Sequence, residues 1–231
     1  MVSQLQSPQT SEIIYPDSDG LPMSDNTKQF RWIVVIQQNL EWLFANDTNI
    51  FVAGDLLWYP VEGNNSICQA PDIMVAFGRP KSDRGSYMQW KEDNIAPQVV
   101  FEILSPGNTQ AEMNKKLLFY DRYGVEEYYI YNPDKNDFSG CVRSESGLGT
   151  IDPIDNWVSP RLGVRFDISG EELQLYRPDG GNFASYVALQ TRLQEAEASL
   201  EQERVRSQNA ETKAQRLAEK LRSAGIDPEM L

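Results

Sequence analysis

Within residues 97–133, two apolar runs bracket a single helical pattern, and that arrangement leaves the chain few folds to choose from. Val99, Val100, Phe101, Ile103 and Leu104 form a near-continuous apolar run, the signature of a strand covered on both faces. Ser105-Pro106-Gly107-Asn108 ends it, because proline cannot extend a ladder and Gly-Asn suits a turn. Thr109 or Asn108 is placed to cap a helix reaching about Tyr123, with Gly124 as its left-handed stop. Glu126 to Asn132 then reads as a second strand. A strand–helix–strand unit of this length implies parallel neighbours joined by a right-handed crossover. One residue breaks the pattern. Glu102 is an acid inside the first apolar run, and an ionised carboxylate there is costly unless it is paired, hydrogen-bonded or bound to a cation.

The flanking sequence supplies the remaining elements. Residues 1–24 are polar and proline-bearing and read as an irregular lead-in packed against the domain. A helix is expected over about 26–46, capped by Ser24 or Asp25, with Phe30, Ile33, Val34, Leu40, Leu43 and Phe44 on one face and Trp32 and Val35 widening it. Ile50–Gly54, Asp55–Tyr59, the segment carrying Asp72, and 138–143, 163–169 and 172–177 read as strands, the last two as a hairpin through Gly170-Glu171. Residues 144–161 read as a polar loop. From Ser185 to Arg222 the composition changes to Ala, Gln, Glu, Arg and Leu without Gly or Pro. There Leu189, Leu193, Ala196, Leu200, Glu203, Ser207, Ala210, Ala214, Leu217 and Leu221 keep a strict 4-3 spacing. This predicts a coiled-coil helix that makes a homodimer; a single long helix folded against the domain is the competing reading. The expected organisation is a lead-in (1–24), one α/β domain (25–182) and the C-terminal coiled-coil helix (183–231).

Composition narrows the chemistry. The chain has no histidine, which excludes Ser-His and Cys-His triads, histidine bases and histidine metal ligands. Catalysis must then rest on carboxylates, lysine, tyrosine or a metal. Two cysteines, Cys68 and Cys141, without a CxxC pair fit a reducing compartment and argue against a zinc site. The polar N-terminus lacks signal-peptide character and no run reaches membrane-spanning length, so a cytoplasmic protein is expected. Net charge is −13, and residues 1–182 carry −12 of it, which opposes non-specific attraction to nucleic acid.

Two strand acids and a helix lysine are the materials of metal-dependent phosphodiester cleavage. Magnesium or manganese takes a few carboxylates and retains several waters, so Asp72 and Glu102, with the Ile103 carbonyl as a third donor, suffice as ligands. A lysine beside them stabilises the attacking hydroxide and the crowded phosphate. Met113, Lys116, Leu117 and Tyr120 share one helix face, and Lys115 aligns with Leu118, Phe119 and Arg122. Both stripes carry apolar residues, so periodicity alone does not choose; the first face continues to Gly124, where the chain turns into the next core strand, so Lys116 is favoured and Lys115 reads as its solvated neighbour. The bland alternative keeps Asp72 as a loop hydrogen-bonder and Glu102 as a structural ion pair. Arg79, Lys81, Arg84 and Lys91, with Tyr87 and Trp90, make loop 78–97 either a phosphate contact or a solvated loop.

Asp72 in APDIMVAFG, Glu102 in VVFEILSPGN and Lys116 in KKLLFYDRYGVEEYYIYNP together resemble the Uma-two family of restriction-endonuclease-like proteins, within the PD-(D/E)XK nuclease superfamily. The resemblance spans about 25–180 and is most specific from Phe101 through Gly124, Val125, Glu127, Tyr128 and Tyr129. It implies a restriction endonuclease-like mixed sheet with a helix on each side. It also implies that Asp72 and Glu102 are metal ligands, that Lys116 is the catalytic lysine and that DNA is the substrate. Glu41 stands where related nucleases sometimes place a first-helix acid. Two departures are plain: Leu104 occupies the position where the superfamily usually has its lysine, and the histidine many members carry near the first helix is missing. The reading is therefore a magnesium- or manganese-dependent endonuclease, with a catalytically inactive dimeric interaction module as the alternative.

Overall fold

The computed structural model describes residues 13–18, 20 and 24–225. Most of the expected lead-in lies outside these residues. In its described part, Tyr15 packs its ring on Tyr59 and Trp90, and the Tyr59 hydroxyl donates to the Pro16 carbonyl at 2.8 Å.

The chain forms two compact units, one through Phe183 and one from Ala184. In the first, helix α1 (Thr27–Leu43) precedes strands β1 (Ile50–Gly54), β2 (Trp58–Tyr59), β3 (Ile73–Phe77), β4 (Tyr87–Met88) and β5 (Val99–Ile103). Helix α2 (Gln110–Arg122) leads to β6 (Glu127–Asn132), β7 (Asp137–Ser144), β8 (Gly147–Thr150), β9 (Arg165–Asp167) and β10 (Gln174–Tyr176). The main sheet has the order β1-β3-β5-β6-β7-β8. Its one parallel pair is β5 with β6, as the connecting helix requires; the other neighbours are antiparallel. The expected mixed α/β sheet is present. Helix α2 is held by a capping box in which Thr109 and Glu112 satisfy each other's backbone N–H, and Gly124 follows it at φ 92°.

Strand alternation divides the core into two layers, one on each face of the sheet. On one face Trp32, Ile33, Ile36 and Leu40 of α1 pack on Val52, Ile73, Val75, Val99, Phe101, Tyr129 and Tyr131. On the other, Met113 and Tyr120 of α2 pack on Phe51, Met74, Ala76, Val100 and Tyr128. Each such fully buried large side chain contributes about 1.5–3 kcal/mol of transfer free energy. Glu102 follows Val100 in parity and so belongs to the α2 face.

Three local expectations are corrected. The cap of α1 is Asn26, whose side chain accepts from the N–H groups of Lys28 and Gln29. The buried stripe of α1 takes in Gln29 and Asn39, while Phe30 and Val34 are exposed, because the two amides serve hydrogen bonds that the hydropathy pattern does not register. Finally, 144–161 is not all loop. β8 returns against β7 from Ser144↔Gly147 to Cys141↔Thr150, and its Gly-Leu-Gly-Thr sequence is held in strand form by the ladder rather than by propensity.

The second unit contains α3, one continuous helix of 38 residues (Tyr186–Ser223) capped by Ser185. Among the described residues no helix is long and apolar enough to cross a membrane.

Candidate active site

The β3–β5 ladder ends at Ile73↔Phe101, and its next step sets Asp72 opposite Glu102. Directly opposed side chains in an antiparallel pair have Cβ atoms about 4.5–5.5 Å apart. Because β3 stops there, the edge of β5 turns to side chains for partners. The Ile103 N–H donates to Asp72 Oδ2 at 2.6 Å, and Gln29 Nε2 of α1 donates to the Ile103 carbonyl at 2.8 Å. Gln29 is itself fixed, its Oε1 accepting from the Asp25 N–H at 2.8 Å.

Glu102 is almost completely buried, and α2 supplies a donor to each of its oxygens. Lys116 Nζ lies 2.6 Å from Oε2, and the Tyr120 hydroxyl donates to Oε1 at 2.5 Å. Lys116 and Tyr120 are four residues apart on one helix face, which is why both reach the same carboxylate. Lys115 is exposed, so the helical phase separates the two lysines in the direction the sequence favoured.

The enclosed cluster brings together two acids and one lysine. Burial first, then repulsion from Glu102, raise the Asp72 carboxyl well above the usual carboxylate range; Lys116 and the Ile103 N–H pull the other way. Since the folded value is the higher one, the associated stability is complete below the ordinary carboxylate range and is lost as pH rises through the folded value. Burial opposes the charge on Lys116 most strongly of any single cause, but the charge and hydrogen bond of Glu102, with the charges of Asp72 and Glu112, together outweigh it and raise the lysine's affinity for its proton. Burial and the Glu102 charge hold the Tyr120 hydroxyl protonated, as a fixed donor.

The residue sequence reasoning missed is Asp55. The β1–β3 ladder ends at Gly54↔Ile73, and one further step puts Asp55 opposite Asp72, where its N–H donates to the Pro71 and Asp72 carbonyls at 3.1 and 3.3 Å. Asp55 adds to the upward shift of Asp72. Its only sequence signal is an acid directly after the glycine that closes an apolar strand. Gln29 was not singled out in the sequence and Tyr120 was placed only on the Lys116 face of the helix; both hold site atoms.

Other candidates lie elsewhere. Glu41 pairs with Lys81 at 2.6 Å. In loop 78–97, Arg79 is shared by Glu92 and Asp93, and Arg84 pairs with Glu92 while lying over the Phe51 ring, 3.9 Å from its centroid. Tyr87 is buried with its hydroxyl on the Ile95 carbonyl. Most of the loop's cations therefore meet internal acids rather than forming a basic surface.

The donors available to an ion at the Asp72–Glu102 edge are carboxylate and carbonyl oxygens, the set that magnesium and manganese prefer. A cation there would offset the repulsion between Asp72 and Glu102. Among the described residues no group of three or more His, Cys, Asp and Glu side chains is arranged to hold an ion. Each Glu102 oxygen carries a second lone pair beyond the one used by Lys116 or Tyr120.

The family model Uma2, described as "Putative restriction endonuclease", matches residues 22–209. Among solved structures, "a putative nuclease belonging to DUF820" from Anabaena variabilis is similar at 17% identity, with 58% of this chain and 72% of that one covered and a TM-score of 0.44. Among curated proteins none matches the chain.

Proposed function

From the premise that the chain belongs to the Uma2 family of restriction-endonuclease-like proteins, we propose that it is a divalent-metal-dependent endonuclease that cleaves DNA at the Asp72–Glu102–Lys116 site. The observation that carries the reading is the opposition of two enclosed acids with a lysine seated on one of them. Asp72, Glu102 and the Ile103 carbonyl hold the ion, magnesium or manganese. When bound, such an ion polarises a phosphodiester oxygen and acidifies a water. Lys116 keeps its proton and offers the ammonium to the charge that builds on the phosphate. Tyr120 fixes the orientation of Glu102, and Gln29 and Asp72 fix the Ile103 peptide, so the donors need little rearrangement.

The strongly acidic globular part makes metal a precondition for holding DNA, and weak binding without metal follows. That acidity, with both Glu102 oxygens already engaged, favours one second reading: an inactive nuclease fold used as a dimeric interaction module. The C-terminal helix supplies the homodimer in either case. Two cysteines not joined in a disulfide, Cys68 and Cys141, suit a reducing, cytoplasmic setting.

Supercoiled plasmid incubated with the full chain and Mg2+ or Mn2+ decides between them. Metal-dependent nicking is expected, falling at least about 100-fold in Asp72→Ala and unchanged in Glu41→Gln. No nicking with either metal across supercoiled, linear and single-stranded substrates, or nicking equal in Asp72→Ala, overturns the nuclease reading.

A further inference from the structure

We infer that α3 pairs with α3 of a second copy as a parallel, in-register two-stranded coiled coil; this rests on the homodimer reading and adds orientation and register. The helix is continuous, and at 1.5 Å per residue its 38 residues reach about 57 Å. None of its residues is buried, and Leu189, Leu193, Leu200 and Leu217 are 46%, 50%, 72% and 59% exposed. With Leu189 at a d position, Leu193, Leu200, Ser207, Ala214 and Leu221 take a, while Ala196, Glu203, Ala210 and Leu217 take d. An apolar seam of this length on an otherwise charged helix needs a partner with the same periodicity. A second copy of the chain has it.

Apolar spacing alone does not choose the orientation. The seam is nearly palindromic: an antiparallel partner would set Leu189 on Leu221, Leu193 on Leu217 and Ala196 on Ala214. The flanking charges do choose. In a parallel pair each g residue meets the e residue five positions on in the partner. Arg192 then meets the partner's Glu197, and Arg206 meets the partner's Glu211. In an antiparallel pair, e faces e and g faces g. Arg204 would face the partner's Arg204, Arg206 the partner's Arg206, Arg192 the partner's Lys220, and Glu197 the partner's Glu211. Every charged pair would be of like sign.

Register follows from the same charges. A slip of one heptad sets Arg192 against the partner's Arg204 and the partner's Arg206 against Arg204. It also buries Glu203 against an alanine layer, where a carboxylate has no polar neighbour across the seam. In register, Glu203 meets the partner's Glu203 and Ser207 the partner's Ser207; the paired carboxylates cost stability, as polar core layers that specify alignment do, and the flanking charges offset that cost.

The test uses the full chain with Ala196→Cys or Ala214→Cys, each a small-for-small change inside the seam. Light scattering at tens of micromolar should give twice the 26.3 kDa chain mass. Under mild oxidation each single variant should yield disulfide-linked dimer at least tenfold above the unsubstituted chain, which carries only Cys68 and Cys141. A dimer by light scattering that links only when the two variants are mixed is antiparallel, which overturns this inference and leaves the homodimer reading standing. A dimer in which neither the single variants nor their mixture links overturns it as well. A monomeric chain overturns both.

Discussion

Replacing Lys116 with Met will destabilise the metal-free protein by about 3–5 kcal/mol at neutral pH, measured by urea denaturation. Its ammonium is the cation seated on Glu102, and their side chains are only 20% and 3% exposed. Removing it leaves Glu102 and Asp72 facing each other with no positive charge between them, and an unpaired buried carboxylate is far costlier than a lost surface pair. Divalent ion in excess should return part of the loss, because anything that binds only the folded state stabilises it. Lys115→Met, on the exposed side of the same helix, should stay within about 0.5 kcal/mol of the parent. A loss under about 1 kcal/mol in Lys116→Met would mean that solvent screens the pair.

Glu127→Ala is expected to cost about as much, roughly 3–5 kcal/mol, through a different mechanism. Glu127 is 1% exposed and gathers neutral donors: the Tyr129 hydroxyl at 2.9 Å, the Ser159 hydroxyl, and the Arg161 N–H at 2.6 Å. These bonds pin residues 159–161 to the start of β6, and truncation orphans three buried or half-buried donors at once. Burial raises the Glu127 carboxyl, partly offset by those same donors. It lies on the α1 face of the sheet, opposite Glu102, so the residual folded Glu127→Ala protein should bind divalent metal as the parent does. Near-parental stability in denaturant would show that water readily replaces the carboxylate.

The contrast between these two glutamates shows how far the sequence could be read. Glu102 stood out because it interrupts a five-residue apolar strand; periodicity left both helix lysines open, and only the continuation of one face to Gly124 favoured Lys116, the lysine that pairs with Glu102. The parallel β5–β6 pair was legible from the connecting helix. Glu127, an equally buried acid, gave no such signal because it opens its strand, where an acid looks like an ordinary boundary residue. Asp55 was hidden for a geometric reason: its place beside Asp72 depends on the β1–β3 register and a backbone at φ 49°, neither of which periodicity encodes. Gln29 was hidden because a buried amide on α1 matters only once the carbonyl it serves, Ile103, is left without a strand partner. The cations of loop 78–97 looked like a surface patch until their partners, Glu92, Asp93 and Glu41, folded onto them.

The opposed acids Asp72 and Glu102 are expected to accept a divalent cation. Calorimetric titration of Mn2+ into the metal-free full chain, beside Asp72→Asn, tests it most directly. The unsubstituted chain should bind one ion per chain at this site, and Asp72→Asn should weaken that binding at least tenfold. The same substitution should raise the metal-free melting temperature by about 2–4 °C, since it removes the repulsion and desolvation that burden Asp72. Equal Mn2+ affinity in the two proteins, or no binding to the unsubstituted chain at millimolar ion, would contradict the account.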